Sequence, residues 1–474
     1  MSESACDVAI VGAGVTGLVA ALLAQRAGAR VRLFEQSTCG GLIQSARVEG
    51  FTLECGPNVF VERPEFLSLL QSIGLTKDIE YPVFERPRQL VYSQGAFHQV
   101  PDSPLKALRT PLLEGAAKRK ALFAMLRNKY PGKLTSDVSV AEFFLPLIGR
   151  RGVDKILEPA LRGIYGGECE RLSSEFLFPL LFERIKQSGK LRSGARAKRP
   201  KAFRLRGGND KLSRALEQVL QAQTVVHSRV TSLSRDSEGF TLTTDTGQFF
   251  RSASVVLSAG NNAAELLAGF DAALAADLQK VPAVGLEVLH VAVDALLPSA
   301  QGAFGMLLPA ESESRVLGIM FSSHLFPSAA PPGQELLTIC LRPASAGTAC
   351  TPAESLREAR YFISKVSSCE PRVLKQTIWP CALPKYCVGH MDMVRRARAL
   401  EARVPGLFLI GRDVGKPGVS DRVSAAFQWM ETWKTSQSIN VPLQAALSSR
   451  SSSSSALSAE SIAEKLSPSL RGNG

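Results

Sequence analysis

Apolar and polar positions along this 474-residue chain change period several times, and the changes mark its elements. Residues 7–11 (DVAIV) read as a buried strand, apolar after Asp7, followed by a glycine turn and a long apolar stretch from about Thr16 to Ala27. RVRLFE then closes at Glu35. The order strand, helix, strand predicts a βαβ start on a parallel sheet. Between about Pro101 and Arg206 the period becomes helical, in stretches such as LLEGAAKRKALFAMLRNK, VAEFFLPLIG and DKILEPALRGIYGG, broken by proline and glycine. Strand patterns return in VVHSRVTSLSRD, GFTLTTDTGQFF and SASVVLSAG, where the DTG turn predicts a hairpin. Residues 285–390 mix the strand patterns GLEVLHVAV, RVLGIMFSS and ELLTICL with a helical PAESLREARYFISKV. GLFLIG at 406–411 predicts a last strand leading into a helix that begins near Asp421. The serine-rich end, from roughly Ala445, has the composition of a disordered tail.

The expected class is α/β with α+β character: a Rossmann-like dinucleotide domain, a mixed-sheet substrate domain and a helical insertion. Discontinuous segments 1–85, 205–284 and 395–440 are assigned to the first, 86–100 and 285–394 to the second, 101–204 to the insertion and 441–474 to the tail. The length fits several subdomains with substantial cores. No apolar run is long enough to span a bilayer, and MSESACDVAIVG carries neither a basic n-region nor an h-region, so a cytoplasmic protein is expected. Nine scattered cysteines, with no CxxC, read as reduced and mostly buried thiols. No metal site is expected, and His290, His324 and His390 read as structural.

Charge is localised. Of the 56 Lys and Arg and 43 Asp and Glu, residues 101–206 hold 23 and 10, so the whole excess of +13 lies in that block. One basic surface suits lipid headgroups, nucleic acid or a polycarboxylate substrate; a solvated helical face is the plain alternative. No aromatic-interleaved RNA motif accompanies it, and a nucleic-acid partner is not expected.

Chemistry is concentrated in glycines. Gly12, Gly14 and Gly17 form GxGxxG between the first strand and first helix, with Val15 and Thr16 opening the helix, and Glu35 ends the second strand. Such a turn brings backbone amides and a helix N-terminus to a pyrophosphate, and the acid receives a ribose diol. This does not separate FAD from NAD.

Farther along stand Cys39-Gly40-Gly41, FTLECGP at 51–57 with Gly56 and Pro57, Gly207-Gly208 with Leu212, Val230, VVLSAG with Ser258, and GLFLIGRDVGKPGVSDRVSAA with Gly411, Gly418, Val419 and Asp421. Together these resemble the FAD-dependent amine oxidase and protoporphyrinogen oxidase superfamily. The resemblance implies one FAD held by both ends of the chain. Gly418-Val419 would let backbone approach the flavin ring, and Ser420 or Asp421 would cap the following helix at the pyrimidine side. EPALRGIYGGECERLS (158–173), LGIMFSSHLFPSAAPPGQELLTICL (317–341) and IWPCALPKYCVGHMD (378–392) are similar to segments of the protoporphyrinogen and coproporphyrinogen oxidases, the last two to the plant type. Amine oxidases and phytoene desaturases are not expected to carry them.

That resemblance implies hydride removal from a porphyrinogen to FAD, reoxidation by molecular oxygen and release of hydrogen peroxide, with no catalytic side chain. Protoporphyrinogen IX is the first expectation and coproporphyrinogen III the alternative; an amine or carotenoid oxidase and a non-catalytic scaffold are rivals. By the same resemblance Arg88, or Arg86, holds a substrate carboxylate, for which a guanidinium's planar fork suits. Phe304, Leu308 and Leu317 would sandwich the ring. The basic insertion would rest peripherally on an anionic membrane at its cytoplasmic face. A homodimer is left open. The chain departs from the family pattern at Thr38-Cys39, at the missing Thr-Pro after VVLSAG, and at Lys416-Pro417.

Overall fold

The computed structural model describes residues 4–165, 168–191, 200–220, 224–309, 314–344 and 350–448. Two units result, Met1–Trp429 and Met430–Gly474; the described part of the second is the continuation of one helix to Ser448.

The first unit is built on two seven-stranded sheets. In the first sheet β1 (Ser4–Val11) lies centrally, parallel to β2 (Val31–Glu35) on one side and to strand Phe249–Leu257 on the other. The crossover between them is α1 (Val15–Arg26), buried at nine positions from Val15 to Ala24, which explains its nearly unbroken apolar sequence. Strand Phe249–Leu257 divides its outer edge: the hairpin strand Gly239–Thr244 pairs with its first half, and Leu407–Leu409 runs parallel to Val255–Leu257. The DTG turn thus falls where expected. VVHSRVTSLSRD is two strands: Val225–His227 extends the parallel edge beside β2, and Val230–Asp236 joins the antiparallel hairpin. One face of this sheet buries Ala9, Val11, Phe34 and Val255 against Leu267, Leu274 and Leu278 from short helices and Leu400 from helix His390–Arg403.

The second sheet is antiparallel except where Ala303–Leu307 runs parallel to Arg88–Ser93. Its core face packs Leu289, Val291, Ile319, Phe321 and Ile339 on Ala359, Phe362 and Ile363 of helix Pro352–Ile363, which a Thr351–Glu354 capping box starts. The described residues of 101–191 form helices, with cores around Phe143 and Phe182 and around Leu161, Leu172 and Tyr386. VAEFFLPLIG starts with a second capping box, Ser139–Glu142, and leaves helical geometry at Gly149, where φ is 69°.

Some expectations need adjusting. The last helix begins at Val419 and extends to Ser448, so it passes the expected tail boundary at 441; residues 449–474 lie outside the described residues, as do Gly166 and Gly167 of the YGGE motif. All nine cysteines are free, but only Cys6, Cys55 and Cys169 are buried, five are intermediate and Cys381 is exposed.

Candidate functional site

The C-terminal ends of the parallel strands open on a groove of about 440 Å³, the place where open α/β sheets receive ligands. Its floor is dictated by backbone. β1 stops at Val11, Gly12 turns the chain at φ 100°, and α1 starts three residues later. A Cβ on Gly17 would sit 1.9 Å from the Gly12 carbonyl oxygen, so α1 comes this close to the turn only because no side chain is there. At Gly14 the same construction meets nothing within 4 Å. That open space faces the amides at the start of α1, which suits an anionic phosphate.

Glu35 is fixed at one end. One carboxylate oxygen accepts the Ala13 N–H at 2.9 Å; the other accepts the Ser37 N–H at 3.0 Å and hydroxyl at 3.1 Å. Each carboxylate oxygen has two lone-pair directions, so one, on the oxygen that accepts from Ala13, is left for a ribose hydroxyl. The Gly40 N–H donates to the Ala13 carbonyl at 2.8 Å, pinning the glycine pair beside the first turn. Ser258 donates from its hydroxyl to the carbonyls of Val11 at 3.0 Å and Gly12 at 2.7 Å, closing the crevice between the two central strands.

Of the sequence candidates, Gly12, Gly14, Val15, Thr16, Glu35, Gly40, Gly41, Pro57, Val230, Ser258 and Val419 line the groove. Gly17, Gly56, Gly411, Gly418 and Asp421 are not among the lining residues. Gly56 lies so close to the Leu42 carbonyl that a Cβ would fall 1.8 Å away, and the Gly418 carbonyl accepts the Arg422 N–H at 2.9 Å as the last helix begins. Because that helix starts at Val419, Ser420 and Asp421 occupy its first turn and not its cap. Their side chains are engaged elsewhere: the Ser420 hydroxyl accepts the Val61 N–H at 2.9 Å and Asp421 pairs with Arg63 at 3.0 Å.

Trp379, Cys381, Arg412 and Arg422 also line the groove and were not singled out for it from sequence. Trp379 and Cys381 come from strand Arg372–Pro384 of the second sheet, which brings that sheet onto the groove. Arg412 and Arg422 lie inside the closing motif, where two cations near a glycine turn were the available signal. Arg412 donates to the carbonyls of Ala382 at 3.0 Å and Cys381 at 3.3 Å, and its own carbonyl accepts the Tyr386 hydroxyl at 3.0 Å. Tyr386 stacks on Phe176 at 4.4 Å, so the helical region braces this rim.

The substrate candidates are placed apart from the groove lining. Arg88 opens strand Arg88–Ser93, half-buried, and donates from its guanidinium to the Gln301 carbonyl; Arg86 is exposed. Phe304 is half-buried. Leu308 is enclosed in the core between the second sheet and helix Pro352–Ile363, where packing accounts for it, while Leu317 is buried outside that cluster. The three histidines bond to backbone: His290 Nε2 with the Glu54 carbonyl at 3.1 Å, His390 Nε2 with that of Asp413 at 2.7 Å, and His324 Nε2 accepts the Gly302 N–H at 2.8 Å. Burial pushes His290 and His390 down to about 4, which keeps both neutral.

A family model described as flavin containing amine oxidoreductase matches residues 15–420. The chain belongs to that family. As a flavin-containing amine oxidoreductase it is 26% identical over 469 residues to protoporphyrinogen oxidase 1, chloroplastic, of Arabidopsis thaliana, covering 89% of this chain and 87% of the relative. It is equally 26% identical to coproporphyrinogen III oxidase of Bacillus subtilis, over 90% of this chain and 100% of the relative. The solved structure of a protein from Exiguobacterium sp. 255-15, described as a protoporphyrinogen oxidase, superposes with a TM-score of 0.73 at 23% identity, covering 92% of this chain and 99% of that one; this shows the shared fold. The enzyme is an FAD-dependent oxidoreductase, and its groove fits that cofactor: an open phosphate cradle at Gly14, an acid at Glu35 for a ribose, and a helix N-terminus at Val419.

Proposed function

We propose that this enzyme oxidises a porphyrinogen to a porphyrin, with protoporphyrinogen IX as substrate, oxygen as final acceptor and hydrogen peroxide as product. The observation that carries this reading is similarity along nearly the whole chain to enzymes named for porphyrinogens. Coproporphyrinogen III is the second reading, favoured by the complete coverage of the Bacillus subtilis relative.

Bound FAD supplies hydride acceptance; the chain supplies position and field. Gly12, Gly14 and the first turn of α1 would hold its diphosphate, Glu35 would hold the adenosine ribose, and the helix that begins at Val419 would offer its positive end to the flavin. Strand Arg372–Pro384 walls the groove from the substrate side and limits water at the reacting edge. Arg88 holds a propionate of the macrocycle and Phe304 offers an apolar wall. No side chain need move a proton at the saturated bridge, since orientation against the cofactor lowers the barrier.

The helical segment binds an anionic membrane peripherally, at the cytoplasmic face. Helix Gly115–Arg127 carries Lys118, Arg119, Lys120 and Arg127 beside exposed Leu122, Phe123 and Leu126, and no described helix is long and apolar enough to cross a bilayer.

The substrate test is a rate comparison. Purified enzyme is given protoporphyrinogen IX and coproporphyrinogen III separately, and porphyrin fluorescence, oxygen uptake and peroxide are followed together. One of the two should turn over with matching oxygen loss and peroxide gain; inertness toward both overturns the proposal.

A further inference from the structure

Four charged residues line the groove: Glu35, Arg229, Arg412 and Arg422. Three of them are accounted for. Glu35 is bound to Ala13 and Ser37, Arg229 pairs with Glu265 at 3.2 Å, and Arg412 donates to two carbonyls of the second sheet. Arg422 is different. It is 6% exposed, its Nη1 donates to the carbonyls of Ile410 at 3.0 Å and Gly411 at 2.7 Å, and its Nε is buried without a partner.

The cost of burial lowers the pKa of Arg422, outweighing the attraction of Asp421 and Asp413. Asp421, its neighbour in sequence, is turned to Arg63. Asp413 is 1% exposed, and burial pushes its carboxyl up to about 6 against the attraction of Arg412 and Arg422. Room is made for the guanidinium at Gly415, where a Cβ would lie 2.1 Å from Nη2. Arginine keeps its proton even when desolvated. A buried cation whose lost hydration is only partly compensated by its surroundings would stabilise an anion arriving beside it.

Position says which anion. Arg422 is the fourth residue of the helix that begins at Val419. Side chains of a helix lean toward its N-terminus, so this guanidinium lies over the same end as Val419 and Pro417, both of which line the groove. The diphosphate already has its seat at Gly14, at the start of the other helix. We infer that Arg422 is a positioning residue for charge: a fixed cation at the isoalloxazine end of the groove that stabilises the negative charge acquired when bound FAD takes up two electrons and one proton. The helix N-terminus adds to the same field. This rests on the placement of the isoalloxazine against Val419.

The test uses the holoenzyme and the variants Arg422→Gln and Arg422→Lys, each titrated for FAD affinity and for the midpoint potential of the bound flavin. Arg422→Gln should keep its FAD affinity within about tenfold while the oxidised-to-reduced equilibrium moves toward oxidised by ~100-fold, about 60 mV for a two-electron couple. Arg422→Lys should restore most of that shift. Arg422→Gln with normal affinity and an unmoved potential overturns the inference, as does a large loss of affinity with an unmoved potential, which would make Arg422 a phosphate anchor. If Arg422→Gln does not load, the wild-type potential decides: across roughly pH 5 to 7 it should fall by about 30 mV per unit, one proton for two electrons. A slope of about 60 mV per unit means a neutral reduced flavin and overturns it. Failure of wild-type protein to hold FAD would instead sink the placement of the cofactor itself.

Discussion

The floor of the groove and the candidate substrate region on the second sheet are made in opposite ways. Around residues 12–41 the site is backbone: a turn, a helix start, a glycine pair and one acid fixed by two neighbours. On the second sheet the candidate site is side chains borne by strands Arg88–Ser93, Ala303–Leu307 and Val316–Phe321, three segments scattered along the chain. A backbone site tolerates few sequences, because a Cβ in the wrong place collides with main chain. A site on a sheet face tolerates many. The two halves should therefore fail differently when altered.

The largest effect is expected at the floor. Gly17→Val puts a branched side chain where even a Cβ lies 1.9 Å from the Gly12 carbonyl oxygen, and that oxygen is main chain and has nowhere to go. Separation of α1 from the turn should cost more than about 4 kcal/mol and remove bound FAD. Flavin absorbance of the purified variant checks this; a yellow protein with normal melting would break the contrast drawn here.

The seam between the halves is next. Glu54 ends the strand Phe51–Glu54, and its carbonyl meets His290 of the second sheet. Its carboxyl is 4% exposed and burial pushes it up to about 7, against bonds from the Ser45 hydroxyl at 2.6 Å and the Asn209 N–H at 3.1 Å and the attraction of Arg204. With the folded value above the unfolded one, the folded chain keeps a proton that the unfolded chain has released. The associated stability is complete below about 4.5 and is lost as pH rises to about 7, at roughly 1.4 kcal/mol per unit. His290 and His390, held neutral, act in the opposite sense: stability is lost as pH falls from 6.5 toward about 4. The wild-type curve alone therefore conceals both. Glu54→Gln isolates one: the variant should gain about 2–3 kcal/mol over wild type between pH ~4.5 and ~7.5 in urea unfolding. A constant difference would mean that Glu54 is already ionised in the fold.

This asymmetry also explains what could be read from sequence. GxGxxG, Glu35 and Gly40-Gly41 are legible because a dinucleotide turn fixes residue type and spacing within one local segment, and the structure places Gly12, Gly14, Glu35, Gly40 and Gly41 along one groove. Strand boundaries such as Glu335–Leu341 follow from apolar runs. Leu308 was less legible, because the composition of a strand does not say which face meets core and which meets a ligand. Trp379 and Arg422 needed three dimensions: one reaches the groove from a different sheet, and the other depends on Gly415, seven positions earlier, leaving space.

A smaller effect should distinguish the two candidate arginines, Arg88 and Arg86. Arg88 is held by the Gln301 carbonyl at the start of its strand, while Arg86 is exposed. Loss of one charge-assisted contact to a propionate is worth about 1.5–3 kcal/mol. Arg88→Ala should raise KM for porphyrinogen by roughly 10- to 100-fold with kcat and flavin content little changed, because the contact is made equally before and during reaction. Arg86→Ala should leave KM within about twofold. The reverse pattern would move the carboxylate site two residues and would show that register at the strand edge, not residue type, had been misread.

The smallest effect is expected on helix Gly115–Arg127, far from either half in role. Leu126 is 71% exposed and Phe123 55%, the latter under Arg127 at 4.2 Å. Neither holds a core, so Leu126→Asp and Phe123→Asp should leave melting unchanged to within about 0.5 kcal/mol. Each should still weaken flotation with anionic liposomes, since burial of such a side chain in the headgroup boundary contributes about 1.5–3 kcal/mol. Raised salt should weaken wild-type binding as well, because the cations of this helix act through a screened field. Binding that survives both substitutions and high salt would place the membrane contact elsewhere on the chain, and a wild-type protein that never floats at low salt would remove it altogether, leaving the +13 segment as a solvated face.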